Sequence, residues 1–260
     1  MKIVVAVKQV PNTDNVAIDP ITHNLVRSND NKMNKYDKHA LETAFEIAAK
    51  NDDEVVAISM GPNQAKEVLA EAIAMGASKG ILLSDRKFAG ADTLATAYVL
   101  AKAIAKLTDV RLVIFGQQAI DADTGQVGPL VATQLAWPQL TYLYEIMAVD
   151  AEEITAKRNL GPVSQTITAN YPAVLTISDL ANEPRYLSAH RLMTMADDAI
   201  ITWNAEKLAA EDERIGLAGS PSAVRAIVEP KEAGRQGKVI EAASAVEQVL
   251  AILKSEGMIR

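Results

Sequence analysis

The chain has 260 residues, is 49% hydrophobic and carries no cysteine. It can therefore bury one sizeable core, while disulfides, iron–sulfur clusters on its own thiolates and thiolate catalysis are excluded. Its formal net charge of −7 argues against nucleic acid or an anionic membrane as partner, since either requires clustered Lys and Arg. No apolar run approaches the roughly 20 residues of a membrane span. Lys2 leads at once into Ile3 to Val7 without the apolar core and cleavage region of a signal peptide, so the expected location is the cytoplasm. Any redox chemistry must be carried by a bound organic cofactor or a partner.

In chain order, short apolar runs alternate with helical periodicity, the pattern of a mostly parallel α/β sheet covered by helices. The first strand is predicted from Lys2 to Lys8. The segment Gln9 to Lys35 is too long for a tight turn and could hold a hairpin of Asn15 to Ile18 and Asn24 to Val26 around Asp19-Pro20. An amphipathic helix follows from Tyr36 to Lys50, with Ala40, Leu41, Ala44, Phe45 and Ala48 on one face and Lys38, Glu42 and Glu46 largely on the other. Further strands are predicted at Glu54 to Met60, Gly80 to Ser84 and Val110 to Phe115. Between them lie a helix from Gln64 to Met75, with Asn63 as N-cap, and one from Thr93 to Leu107, capped by Asp92. After Pro138 the pattern changes to alternation at Thr141 to Val149, Glu153 to Arg158, Ser164 to Ala169 and Ala173 to Ile177, read as antiparallel strands added to the sheet. A polar segment, Ser178 to Arg191, comes next. Ala218 to Ile240 is rich in Gly, Ser, Pro and charge, and helical periodicity returns from Ala242 to Lys254. The expected division is a nucleotide-binding domain over 1–217 and a C-terminal arm over 218–260 that packs on this domain or on a partner.

Ligands of open α/β sheets sit beyond the carboxyl ends of the strands at a topological switch point. Four loops should meet there: Lys8 to Pro11, Gly61 to Asn63, Phe88 to Thr96, and the stretch Gly116 to Pro129, which reads GQQAIDADTGQVGP. The last is the most informative, because a β-branched strand runs into Gly, Asp, Gln and Thr before Pro129, which suits the first position of a helix. Free amides at a helix start hold phosphate; an ordinary strand-to-helix connection is the plainer reading. Asp121 and Asp123 would repel a phosphate and instead accept from ribose hydroxyls, the adenine amine or backbone amides, or close Asx-turns. His23, His39 and His190 fall in unrelated segments, and neither GxGxxG nor a Walker loop occurs. Chemistry alone reaches a nucleotide-binding α/β domain.

Six motifs in order add a resemblance: VAVKQVPNT near the start, MNKYDKHALE at Met33 to Glu42, AISMGP at Ala57 to Pro62, GADTLATA at Gly90 to Ala97, GQQAIDADTGQVGP, and NEPRY at Asn182 to Tyr186. Over nearly its full length the chain resembles the β (small) subunit of the electron-transfer flavoproteins, whose fold is an adenine-nucleotide α-hydrolase-like, Rossmann-like sheet. Lys35, where many relatives have Pro, and Ala122, where Gly or Asp is common, depart from the pattern.

The resemblance implies a heterodimer with the α (large) subunit, which carries its own FAD. In simple members the β site holds AMP; in the bifurcating group it holds FAD reduced by NADH, and GADTLATA resembles that group. It implies that Ala6, Asn34, Met60 and Gly61 line the adenosine end, and that Asp92, Thr93 and Thr96 face the diphosphate or flavin. Gln118, Ala119, Asp121, Asp123, Thr124, Gln126, Val127 and Gly128 would wrap adenine, ribose and phosphates. The stretch 178–191, with Asn182, Glu183, Pro184, Arg185 and Tyr186, is similar to the loop that docks onto a flavin dehydrogenase of acyl-CoA, enoyl-CoA or 2-hydroxy-acid type. Ferredoxin or flavodoxin would take the low-potential electron. Two alternatives stay open: a simple carrier holding structural AMP, and a nucleotide-binding scaffold with no redox role.

Overall fold

The computed structural model describes residues 1–12, 30–223, 240 and 244–259. The hairpin expected between Asn15 and Val26 lies outside the described residues. In order, the first unit contains β1 (Lys2–Ala6), β2 (Gln9–Pro11), β3 (Asn31–Met33), α1 (Lys35–Asn51), β4 (Glu54–Met60), α2 (Lys66–Met75), β5 (Lys79–Leu83), α3 (Thr93–Ala105), β6 (Val110–Gly116), α4 (Val127–Leu135), β7 (Gln139–Val149), β8 (Glu153–Asn159), β9 (Ser164–Asn170), β10 (Ala173–Ile177), α5 (Ala189–Met193), β11 (Ile200–Trp203) and α6 (Ala205–Leu208). It extends from Met1 to Arg225; a second unit, Ala226–Arg260, carries α7 (Ala245–Ser255).

Among the described residues, nine strands form one sheet in the order β11-β5-β4-β1-β6-β10-β7-β8-β9. All pairings from β11 to β7 are parallel, and β8 and β9 continue as antiparallel neighbours. Strand residues alternate between two cores because side chains on a strand have a period of two. Ile3, Val5, Val55, Ala57, Leu112 and Ile114 face the layer of α1 and α2. Val4, Val56, Ile58, Val113 and Phe115 face that of α3 and α4. Such burial on both faces is what makes the parallel strands read as continuous apolar runs.

Ala173–Ile177, expected as an antiparallel addition, is instead a parallel strand between β6 and β7. Every one of its residues is buried, so its uninterrupted AVLTI run belonged with the doubly covered strands. β11, pairing parallel with Gly80–Leu83 of β5, is too short for a periodic signal. Asn63 does not cap a helix: it opens a 3₁₀ turn, Asn63–Ala65, before α2. Likewise α4 starts at Val127, so Pro129 is its third residue and not its first. Among the described residues, no helix is long and apolar enough to cross a membrane.

Candidate functional site

The chain leaves β1 for β4 and β5 on one side and later returns to β6 on the other. The carboxyl ends of β1 and β6 therefore flank the switch point, where neighbouring connections diverge and leave a crevice. Asn34, buried just before α1, holds its two margins together. Its N–H donates to Lys8 O at 2.9 Å. Its side-chain amide donates to Gln118 O and to Asp37 Oδ1, both at 2.8 Å, and its Oδ1 accepts from Ile120 N–H at 3.2 Å.

Asp37 was absent from the expected site. Its Oδ2 accepts from Lys8 N–H at 2.7 Å, and the Gly116 backbone lies against the carboxyl. Burial pushes this carboxyl up to about 7, against the pull of the Asn34 and Lys8 donors. The sequence did contain a signal: Asp37 shares the helical spacing of Ala40, Leu41 and Ala44, an acid on the apolar face of α1. Gly116 is required beside it, since an added Cβ would lie 2.4 Å from Asp37 Oδ1.

Residues 117–126, the connection from β6 to α4, form the β6-side wall of this switch point. Asp123 and Gly125 adopt left-handed φ values of 54° and 60°, and the Asp123 N–H closes a turn onto Ala119 O at 2.8 Å. Gln118 Nε2 donates to Asp123 Oδ1 at 2.7 Å, and Lys8 Nζ to Asp121 Oδ1 at 2.7 Å. Thr124 is exposed. Ala6 is buried at the end of β1, and Gly61 turns the chain after half-buried Met60 by donating its N–H to Leu83 O at 3.0 Å.

Two helix starts meet this wall and differ in kind. At α4 no side chain caps the first turn, so the Val127 and Gly128 amides have no intrahelical acceptor and present the positive end of the helix dipole. Gly128 lets that start approach β10, because an added Cβ would lie 2.8 Å from Thr176 Cγ2. At α3, Asp92 Oδ1 accepts from the Leu94 and Ala95 amides at 2.9 and 3.1 Å. Its Oδ2 accepts from Ser222 Oγ at 2.8 Å and from Ser222 N–H at 3.1 Å, while its own N–H donates to Ser220 Oγ at 2.8 Å. Burial would raise the Asp92 carboxyl, but these donors hold it below the usual carboxylate value. That helix end is therefore closed by its own carboxylate. Thr93 remains at the crevice, donating Oγ1 to Gln126 Oε1 at 2.9 Å, and half-buried Thr96 lies a turn further in. The link to Ser220 and Ser222 had no local sequence signal.

The NEPRY segment lies elsewhere, along α1. Asn182 Nδ2 donates to His39 O at 3.0 Å and Thr43 Oγ1 at 2.8 Å. Arg185 makes a bidentate pair with Glu42, both contacts at 2.8 Å, with its guanidinium 4.7 Å from the Phe45 ring centre. Hydrogen bonding from Arg185 holds the Glu42 carboxyl below its usual range. Asn182 and Arg185 thus anchor the loop, Pro184 is half-buried, Glu183 is exposed, and Tyr186 projects with 98% of its surface exposed.

A strand-end switch point with an open helix start, a cation and carboxylates beyond it has the donors and acceptors that an adenine nucleotide would use. Residues 22–208 match the family described as electron transfer flavoprotein domain. The chain is 42% identical to the electron transfer flavoprotein subunit beta of Megasphaera elsdenii over 240 residues, covering 89% of this chain and 88% of the relative. It is 41% identical to the caffeyl-CoA reductase-Etf complex subunit CarD of Acetobacterium woodii, covering 90% of each chain. It is 36% identical to protein FixA of Rhizobium leguminosarum bv. phaseoli, covering 96% and 92%. The chain belongs to the electron transfer flavoprotein family, as a β subunit.

Proposed function

We propose that this β subunit binds FAD in the crevice between β1 and β6 and serves as the NADH-reduced member of a bifurcating electron carrier. The observation that carries the binding assignment is the uncapped start of α4 beside a loop held open by Asn34. The donor set fits the group. Val127 and Gly128 amides would take one phosphate. The Thr93 hydroxyl, on releasing Gln126 Oε1, and the N–H groups that the Lys8 ammonium does not give to Asp121 would donate to the second, and Asp121 and Asp123 would accept from ribose hydroxyls or the adenine amine. Ala6, Met60 and Gly61 would line the adenosine end. Bound FAD supplies hydride acceptance and single-electron transfer, which no side chain needs to perform. The protein orients the dinucleotide and fixes the charges around it. NADH use, and delivery of one electron to the large-subunit FAD and the other to ferredoxin or flavodoxin, rest on likeness to the bifurcating group and on the 41% identity to a subunit named for a reductase–Etf complex.

The exposed Tyr186 end of the loop would dock a flavin dehydrogenase of acyl-CoA, enoyl-CoA or 2-hydroxy-acid type. The chain beyond residue 217, including the exposed apolar residues Val246 and Leu250 of α7, would pack on the large subunit. One observation favours a second reading. The α3 start is closed by Asp92, leaving one open helix start, which is enough for the single phosphate of AMP. Nucleotide content after co-expression with the large subunit decides: two FAD per dimer support bifurcation, whereas one FAD and one AMP make this a simple carrier.

A further inference from the structure

We propose that Asp37, which belongs to none of the motif positions expected to touch the nucleotide, is the positioning residue of this site: as a carboxylate it locks the margins of the crevice in their binding geometry, and its protonation loosens them. This rests on the assignment of the nucleotide to the crevice. Two donors from two chain segments converge on one buried carboxyl, the Lys8 amide after β1 and the Asn34 side chain before α1, and the Gly116 backbone ending β6 lies against it. Through Asn34 the lock reaches Gln118 O and the Ile120 amide, the first residues of the nucleotide wall.

Both partners are donors. A proton added to the carboxyl removes the charge that strengthens these bonds and adds a donor among donors, in a buried position. The charged groups nearby do not take over this function. The Lys8 ammonium is paired with Asp121 in the wall, Lys35 at the start of α1 pairs with Asp179 at 3.0 Å, and Tyr36 lies beneath the Lys35 ammonium. Asp37 is therefore the group whose charge sets the spacing of β1, α1 and the wall. Because burial brings its titration near neutrality, the lock operates over a physiological range.

The test is titration of the full chain with FAD, and separately with AMP, between about pH 5 and about pH 9. Wild type is expected to lose affinity several-fold as pH falls through about 7. Asp37→Asn, which cannot ionise and turns a donor toward donors, is expected to bind about tenfold more weakly at high pH and without that pH step. Asn34→Ala should weaken binding but keep the step, since Asp37 still titrates. An identical pH profile for wild type and Asp37→Asn would overturn the proposal. Failure of folded wild type to bind either nucleotide at any pH would overturn the crevice assignment itself and this role with it. If Asp37→Asn does not fold, amide exchange in wild type, corrected for its intrinsic pH dependence, gives the same reading. Protection at Lys8 and Ile120 should fall as the carboxyl is protonated; constant protection refutes the lock.

Discussion

At the scale of single residues, the crevice holds a conflict between stability and function, and Asp37 is where it is visible. The folded chain binds this proton more tightly than the unfolded chain, in which a carboxyl titrates near 4. The contribution of Asp37 to stability is therefore least unfavourable below about pH 4, declines as pH rises to about 7, and is level above it. Denaturant unfolding should show the difference between Asp37→Asn and wild type moving in favour of the variant across that window by a few kcal/mol, since each tenfold difference in proton affinity between the folded and unfolded chain is worth about 1.4 kcal/mol. A constant difference would mean that Asp37 titrates as in the unfolded chain. Gly116→Ala places a methyl against the same carboxyl, and the clash is expected to cost about 1–3 kcal/mol in unfolding free energy and to abolish tight nucleotide binding. Neither residue stood out as a ligand. Asp37 was nevertheless readable as an acid at an apolar spacing, whereas the need for Gly116 depends on Tyr36 and Asp37 arriving from a distant helix.

At the scale of elements, local chemistry was readable where it was decided locally. The β-branched runs of β1, β4 and β6 predicted strands because both faces are buried, and Asp92 predicted the start of α3 because capping involves amides two and three residues away. What Asp92 does with its second oxygen was not readable, since Ser222 lies 130 positions away. Asp92→Ala removes the cap and the clasp together and should lower unfolding free energy by about 1–2 kcal/mol. Asp92→Asn should recover part of this, because a carbonyl oxygen still caps. Along α1, the NEPRY segment separates into anchors and a projecting tip. Tyr186→Ala is expected to leave the thermal midpoint unchanged while slowing electron transfer to a dehydrogenase. Arg185→Ala should instead raise amide exchange over residues 183–188, because the Glu42 clamp is lost. Equal effects of both substitutions on exchange would refute that division of roles.

For the whole molecule, alternation of apolar runs and helices identified the α/β class, but strand order follows from pairings between distant segments and was only partly legible. The clearest case is β10, read as a late antiparallel addition and found between β6 and β7. Its position has a consequence for a chain emerging from the ribosome. Residues 139–170 are made before Ala173–Ile177, yet β7 has no seat on the sheet until β10 fills the gap beside β6. The emerging meander of β7, β8 and β9 must wait unattached, with the edges of both β6 and β7 open, until a few more residues appear. Exposed strand edges in waiting intermediates invite pairing with the wrong chain. A nascent chain stalled with residue 170 just clear of the exit tunnel should be cut by protease within residues 139–170 and bind holding chaperones. One stalled with residue 203 clear should be protected there, its last gap closed by five residues.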